Sequence, residues 1–281
     1  MAGWKRSIKE GLPVYQATTI SWLPNVKQGF TTRQGGVSPR PLDSLNMSTN
    51  VGDDPELVAQ NRRRATTAVG APQWPCIAAG QVHGSEIAVV DDASPALVEG
   101  VDALITLRSE VLLLMLFADC VPVFFCDPIR RAVGLAHSGW KGTAQNVAGK
   151  TARRMLDEFE CDSETFYAAI GPSIGSDHYE VDLEVVSALT KSWPGGSASP
   201  LTPRNEFDSK WLVNLRLIVF DQLVAAGVRP EKIAVCDECT FSNRRDFFSH
   251  RRDSAKNGTT GRMAGMIGIA KRGAPMQWPA G

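Results

Sequence analysis

Hydrophobic residues in the middle of the chain form nearly uninterrupted runs instead of alternating with polar residues. The clearest runs are LLLMLF at 112–117 and PVFFCD at 122–127. Short apolar runs bounded by turn residues are typical of strands that are buried on both faces. Strands are predicted on this basis at residues 76–83, 86–91, 103–107, 112–117, 122–127, 132–137, 166–171 and 232–237.

Apolar residues at helical spacing flank these strands. They predict helices at 55–69, 141–159, 182–193 and 208–226. The first helix opens on an Asp cap with Pro55 in its first turn, and the last ends at Gly227. Strands clustered between helices favour a layered α+β domain over a regular βαβ repeat. Gly- and Pro-rich stretches predict a long loop of the functional kind at 31–55 and a surface connection at 194–203.

The charge balance narrows the range of partners. The 281 residues carry 30 basic and 30 acidic side chains, and this balance argues against a nucleic-acid or membrane-surface binder. The longest apolar run, VLLLMLFA, is far shorter than the roughly 18 residues of a membrane helix. The start of the chain lacks an apolar leader, which predicts a cytoplasmic protein with reduced thiols. We expect a monomer or a weak homodimer with no membrane or nucleic-acid partner.

Three potential metal ligands stand at predicted strand ends, each beside a Gly or Pro. His83 precedes Gly84, Cys120 comes shortly before Pro122, and His137 comes shortly before Gly139. Strand ends can converge on one point, and one thiolate with two imidazoles suits zinc while leaving a fourth position open. The spacing is not that of a zinc finger, so packed core residues remain the alternative.

Two features beside these ligands also suggest chemistry. Asp119 could orient a ligand or transfer a proton, although it could equally cap the turn. Gly139 and Gly142 precede a predicted helix with Thr143 in its first turn, an arrangement that can bind an anion. An ordinary Gly-rich turn with a Thr cap is the alternative for that segment.

Eight motifs in a fixed order resemble one family. They are TTRQGGVS, SLNMS, VGDDPELVAQNR, QVHGSEI, ADCVPV, AHSGWKGT, IGPSIGSDHYEV and FFSHRRD followed by GRMAGMI. Together they are similar to the YfiH/YlmD family, whose members are labelled laccase-domain or polyphenol oxidoreductase proteins and also purine nucleoside phosphorylases. The resemblance runs from about residue 14 to about residue 270 of the chain.

The resemblance carries several expectations. It implies one domain over residues 1–281, an α+β layered α/β/β/α sandwich with mixed sheets, also compared with cytotoxic-necrotising-factor toxins. It implies a zinc ion held by His83, Cys120 and His137, with copper as the alternative metal. The implied activity is phosphorolysis of adenosine, inosine, guanosine and methylthioadenosine, accompanied by deamination of adenosine. The chain departs from the family at Ser138, usually Ala, and at His250, usually Tyr, while it keeps Asp102.

A mechanism and a set of binding residues follow as hypotheses. Zinc would activate water for attack at C6 of adenosine, with Asp119 transferring the proton. Arginines suit phosphate because the guanidinium group binds it in a bidentate manner. The residues predicted to bind phosphate, ribose or base are Arg33, Asn46, Arg62, Gln81, Thr143, His250 and Arg251, with Arg252 as a further candidate anchor.

Three other functions remain open from the sequence. A cysteine hydrolase would use Cys120 as nucleophile and His137 as base. A copper-dependent polyphenol oxidase is disfavoured because multi-copper centres need many histidines and the chain has 4. A non-catalytic binding protein has no charged patch or amphipathic tail in its support.

Overall fold

The computed structural model describes residues 3–23, 25–196, 198–204 and 209–271. The strands within these residues are β1 Trp4–Lys9, β2 Leu12–Ala17, β3 Val26–Thr31, β4 Cys76–Gly80, β5 Ile87–Val89, β6 Leu97–Glu99, β7 Ala103–Thr106, β8 Leu112–Phe117, β9 Val121–Asp127, β10 Ala132–Ser138, β11 Tyr167–Ile170, β12 Glu180–Asp182, β13 Leu201–Pro203, β14 Lys210–Val213, β15 Ile233–Val235 and β16 Met263–Ile269. The α-helices are α1 Thr18–Ser21, α2 Pro55–Ala68, α3 Trp140–Ala144, α4 Val147–Glu158, α5 Leu183–Ser192, α6 Leu215–Ala225 and α7 Ala255–Asn257. Short 3₁₀ turns lie at Ser176–His178 and Pro230–Lys232, and a π-helical turn at His250–Ser254.

Two large mixed sheets form the centre of the fold. The seven-stranded sheet has the order β1-β2-β3-β16-β8-β4-β6, and the six-stranded sheet has the order β15-β11-β9-β10-β7-β5. Strands β12, β14 and β13, in that order, form a third, small antiparallel sheet. Strand β8 ends in the seven-stranded sheet and β9 begins in the six-stranded one, so residues 118–120 cross between the two sheets.

Alternation along β8 shows how the layers are built. Leu113, Met115 and Phe117 pack between the two sheets, whereas Leu112 and Leu114 pack against α2 on the outer face. Successive side chains of a strand point to opposite faces, so a strand covered on both faces is apolar at every position. This double covering explains the continuous apolar run that the sequence shows.

Helices cover the outer faces of both large sheets. Residues of α2 pack on the seven-stranded sheet, and residues of α4, α5 and α6 pack on the six-stranded sheet. The order of layers is therefore helix, sheet, sheet, helix. This confirms the predicted α+β sandwich with mixed sheets.

The helix predicted at 141–159 is interrupted. Asn146 adopts a left-handed conformation with φ of 59° and accepts a hydrogen bond from the backbone N–H of Gly149. A left-handed residue ends one helix, and Asn tolerates that conformation better than most residues. The segment consequently forms α3 and α4 instead of one continuous helix.

The helix predicted at 208–226 is wrong over its first described residues. Residues Lys210–Val213 form β14, which pairs with β12 and β13, and the helix begins at Leu215 after Asn214. The Asn214 side chain accepts from the N–H of Leu217 and caps the helix. Apolar periodicity alone did not separate a short strand from the helix that follows it. Asp208 lies outside the described residues.

The predicted helices at 55–69 and 182–193 are confirmed as α2 and α5. The Asp54 side chain accepts from the N–H of Glu56, which is the predicted cap of α2. No helix in the described ranges combines the length and the apolar character that crossing a bilayer requires.

Candidate metal centre

Three separate segments bring His83, Cys120 and His137 to one point. His83 follows β4 of the seven-stranded sheet, Cys120 lies in the crossing between the sheets, and His137 lies near the end of β10 in the six-stranded sheet. One ligand atom from each of these side chains lies within 4.8 Å of the others. The predicted convergence of the three strand ends is therefore present in the fold.

The donor set fits a metal ion. One sulfur and two imidazole nitrogens are ligands that borderline-soft divalent ions accept, and three protein ligands leave room for another molecule. His83 is exposed, Cys120 is partly exposed and His137 is buried. The site is thus anchored in the core and open on the His83 side.

Asp102, a buried carboxylate, supports two of the three ligands. It is completely buried, and its carboxylate lies 2.8 Å from Nδ1 of His137. The same carboxylate accepts hydrogen bonds from the backbone N–H groups of Val82, His83 and Gly84. A carboxylate on one ring nitrogen directs the other nitrogen, Nε2, towards a metal. Asp102 therefore orients one ligand directly and positions a second through its backbone.

Electrostatics favour the ionised thiol. Burial alone would raise the pKa of Cys120, but His137 and hydrogen bonds from both histidines outweigh burial and lower it. Burial likewise opposes protonation of His137, yet Cys120 and Asp102 together raise its pKa. The pKa of Asp102 is lowered because its hydrogen bonds with His137 and Gly84 outweigh burial. A thiolate is the form of cysteine that binds metal ions.

Backbone conformation near the cluster is unusual. His83 has φ of 60° and Asp119 has φ of 83°, a region that side chains other than Gly seldom adopt. Such conformations cost of order 1–3 kcal/mol each and persist where the surroundings impose them. At His83 the three N–H bonds to Asp102 impose it.

Gly139 is required by the close approach of two ligands. Its φ is −73°, which any residue adopts, but a Cβ there would lie 2.9 Å from Sγ of Cys120 and 3.2 Å from Cδ2 of His83. We therefore expect Gly139→Ala to displace the ligands and to lower metal affinity by roughly tenfold or more, as loss of a ligand-orienting contact does. Metal content after dialysis against a chelator measures this.

Gly134→Ala is the matched control for that prediction. Gly134 lies in β10, the strand that carries His137. A Cβ added at Gly134 would lie 2.8 Å from Sδ of Met155, away from the ligands. It should lower the melting temperature and leave the metal content unchanged. Equal loss of metal in both variants would show that general strain, and not ligand displacement, causes the effect.

Asp119 is occupied by structural contacts. Its carboxylate accepts from Oγ1 of Thr240 at 2.6 Å, Oγ of Ser249 at 2.9 Å and the N–H of Arg251 at 2.7 Å. These bonds fasten the crossing segment to the π-helical turn that carries His250. The proton-transfer role stays a prediction, and the geometry supports a positioning role.

Two cavities meet at the ligand cluster. The first, of about 690 Å³, and the second, of about 380 Å³, share His83, Cys120 and His250 in their walls. Arg62 and Gln81 line the first cavity and Arg251 lines the second. Four of the residues predicted to bind substrate, His250 included, therefore surround the cluster.

These four side chains differ in how freely they can reach a ligand. The amide of Gln81 bonds both the N–H and the C=O of Leu116. Arg251 donates to the carbonyl of Glu180 and lies over the ring of Tyr179. Nδ1 of His250 lies 2.8 Å from Oγ of Ser254, which leaves its other ring nitrogen without a bond to a described residue.

Arg33, Asn46 and Thr143 do not line either cavity. Arg33 donates to the carbonyl of Asp43 and stacks on Phe248. Thr143 is completely buried and its hydroxyl bonds that of Ser138 at 2.8 Å. It lies in α3, a helix of five residues that begins at Trp140, and its role in anion binding stays a prediction.

Asn46 and Arg252, two more of the predicted binding residues, support the fold around the site. The Asn46 amide donates to Asp53 and accepts from the N–H of Arg262, so it shapes the loop beside the first cavity. The guanidinium of Arg252 is bonded to the carbonyls of Thr240, Phe241 and Phe247 and to Asp253.

Sequence reasoning missed three kinds of residue. Asp102 was noted only as a retained position, and Arg262 was not considered beyond its motif. Trp140 and Tyr179, which line the second cavity, stand in the motifs AHSGWKGT and IGPSIGSDHYEV. For Arg262, Trp140 and Tyr179 the available signal was their place inside a quoted motif, whereas Asp102 lies outside all eight.

Comparisons with known proteins agree with the geometry. A family model described as "Multi-copper polyphenol oxidoreductase laccase" matches residues 27–270. Purine nucleoside phosphorylase YlmD of Geobacillus stearothermophilus is 40% identical over 272 residues, covering 91% of this chain and 97% of the relative. Purine nucleoside phosphorylase YfiH of Escherichia coli K12 is 34% identical over 237 residues, covering 84% of this chain and 91% of the relative.

A solved structure extends the match to the whole fold. The crystal structure of YlmD from Geobacillus stearothermophilus superposes with a TM-score of 0.87 at 36% identity, covering 96% of this chain and 100% of that one. These findings confirm the resemblance drawn from the motifs. The chain belongs to the multi-copper polyphenol oxidoreductase laccase family, together with the YlmD and YfiH proteins.

Proposed function

We propose that this chain is a zinc-dependent purine nucleoside phosphorylase that also deaminates adenosine, with residues from about 14 to 270 as its enzyme domain. The nucleosides are adenosine, inosine, guanosine and methylthioadenosine. The observation that carries the proposal is the convergence of His83, Cys120 and His137 where two cavities meet. The names of the YlmD and YfiH relatives, purine nucleoside phosphorylases, support the phosphorolytic reaction.

The three ligands would hold the zinc ion, with copper as the alternative metal. Bound there, the ion would supply Lewis-acid stabilisation of developing negative charge. Asp102 keeps Nδ1 of His137 engaged, so that Nε2 is the nitrogen available to the metal. The described chain places few histidines nearby, which supports a single ion over a multi-copper centre.

Phosphorolysis joins two substrates that must meet. A phosphate oxygen forms a bond to C1′ of the ribose, the bond from C1′ to the purine nitrogen breaks, and the base leaves with that electron pair and gains a proton. Trp140 and Tyr179 give the second cavity aromatic walls, which suit a flat base. His250 lies in both cavities, so one of its ring nitrogens can face the region between the substrates.

An assay of the purified protein tests this proposal. Adenosine should yield adenine and ribose 1-phosphate when phosphate is present, and inosine when phosphate is omitted, as measured by chromatography. Removing the metal with a chelator should stop both reactions, and adding zinc should restore them better than copper does. Absence of phosphate-dependent product from metal-loaded protein would overturn the proposal.

A cysteine hydrolase is the second candidate because of a specific arrangement. Asp102, His137 and Cys120 form a chain in which a carboxylate orients an imidazole beside a thiol. Iodoacetamide distinguishes the two functions. A free nucleophile should be alkylated at once, whereas a metal-bound thiolate should resist alkylation until a chelator is added.

A further inference from the structure

Two partly buried arginines in the first cavity lack a carboxylate partner. Arg62, on α2, donates only to the carbonyl of Met47, at 3.1 and 2.9 Å. Arg262, just before β16, donates through its side chain to the carbonyls of Thr260 and Gly261. Within the part of the chain that the structure describes, neither guanidinium forms an ion pair.

Three other partly buried arginines are paired with a carboxylate. Arg6 pairs with Asp246 at 2.8 Å, and Arg252 pairs with Asp253 at 2.7 Å. Arg33, likewise, lies 3.4 Å from Asp43. Burying a charge without a counter-charge is costly, so proteins usually pair buried cations with carboxylates. Arg62 and Arg262 have no such partner and also line the cavity that contains the metal ligands, and the two observations together point to an anion that comes from outside the chain.

Burial outweighs the attraction of nearby negative groups at both arginines. Burial lowers the pKa of Arg62, and it lowers the pKa of Arg262 despite the opposing influence of Cys120 and Asp119. Arginine remains protonated in proteins, so both groups stay cationic. Glu99 also lines the cavity, but it is not ion-paired with either arginine.

The backbone of Met47 connects the segments that carry the two arginines. Its N–H donates to the carbonyl of Arg262 at 3.0 Å, and its carbonyl accepts from Arg62. The Asn46 side chain accepts from the N–H of Arg262 at 2.9 Å and fixes the same junction. Both arginines line the first cavity together with Cys120 and His137.

We propose that Arg62 and Arg262 form the phosphate subsite, in the first cavity, and that the nucleoside occupies the second. This assignment rests on the phosphorolysis proposed above. Guanidinium groups bind phosphate through charge-assisted, bidentate hydrogen bonds. The free phosphate would then approach the ligand cluster from the first cavity, whereas Trp140 and Tyr179 line the second.

Calorimetric titration of the metal-loaded protein with inorganic phosphate tests the subsite directly. Arg62→Gln and Arg262→Gln should each weaken phosphate binding by roughly tenfold to a hundredfold, the loss of one or two hydrogen bonds to a charged group. Arg63→Gln removes the same charge from the next position of α2, which is exposed and outside the cavity, and should bind phosphate like the parent protein.

Lysine variants and thermal unfolding separate a loss of phosphate binding from a loss of the fold. Arg62 and Arg262 also bond backbone carbonyls, so thermal unfolding is recorded for every variant. Arg62→Lys and Arg262→Lys keep the charge without the planar fork and should bind phosphate with intermediate affinity. In kinetics, the Gln variants should raise the KM for phosphate by about the same factor as they weaken phosphate binding, whereas Arg63→Gln should leave that KM unchanged.

The outcomes separate this proposal from the proposed function. Unchanged phosphate binding in both Gln variants, or equal weakening in Arg63→Gln, overturns the subsite even if phosphorolysis is observed. Phosphate binding that needs both arginines, without any phosphorolysis, supports the subsite and overturns the proposed function. A parallel titration with adenosine 5′-monophosphate identifies the source of the phosphate. Binding of the nucleotide without binding of inorganic phosphate contradicts the assignment.

Discussion

Cys120→Ala is expected to abolish metal binding. It should also lower the two proposed activities, phosphorolysis and deamination, by roughly a thousandfold, because the metal would supply several kcal/mol of transition-state stabilisation. Cys120 is the one sulfur in the three-residue cluster of the described chain, and its ionised form is favoured by both histidines. It lies in the crossing between β8 and β9 and is only partly buried, so the fold should survive. Mass spectrometric metal analysis, product chromatography and circular dichroism measure the three effects.

Cys239→Ala is the control for this result. Cys239 is also a partly buried thiol, but its Sγ accepts from the N–H of Gly175 and it is not part of the cluster. It should keep its metal and its activities. Retention of one tightly bound metal ion per chain by Cys120→Ala would show that the cluster is not the metal site.

Asp102→Asn is expected to lower metal affinity by about 10- to 100-fold, the usual effect of losing a group that orients a ligand. The change also removes a buried negative charge that accepts from three backbone N–H groups and faces His137. Breaking such a buried charged pair costs about 3–5 kcal/mol of the free energy of unfolding. Competition with a chelator of known affinity and thermal unfolding measure the two effects.

Asp127→Asn separates metal binding from stability. Asp127 is equally buried, and its carboxylate accepts from the N–H groups of Ile129, Arg130 and Asp162 at the far end of β9. We expect a comparable loss of stability with no change in metal affinity. If both variants bound metal equally well, Asp102 would have no part in orienting His137.

The central strands could be predicted because burial on both faces leaves a strong sequence signal. Strands β8, β9 and β10 appear as apolar runs, and two of the ligands, Cys120 and His137, lie at their ends. Strand β16 lacks that signal, although it lies in the middle of the seven-stranded sheet. In β16, MAGMIGI, glycines stand where a Cβ would meet a neighbour: at Gly265 it would lie 3.0 Å from Phe117. Such glycines lower strand propensity although the close packing of sheets requires them.

The ligand set could be predicted from residue type and strand ends, whereas its supporting residues could not. Asp102 and His137 are 35 positions apart, and Asn46 and Arg262 are 216 positions apart. Contacts of this range depend on how the two sheets meet, which periodicity does not reveal. Conversely, Arg33 and Thr143 have residue types suited to binding, but the fold uses them for internal contacts.

X-ray absorption spectroscopy of the purified, metal-loaded protein tests the central claim most directly. At the zinc edge, the account predicts one sulfur and two imidazole nitrogens among the ligands, contributed by Cys120, His83 and His137. The sulfur contribution should disappear in Cys120→Ala. A spectrum with only oxygen and nitrogen ligands, or a copper signal with no zinc in protein from cells supplied with both metals, would contradict the account.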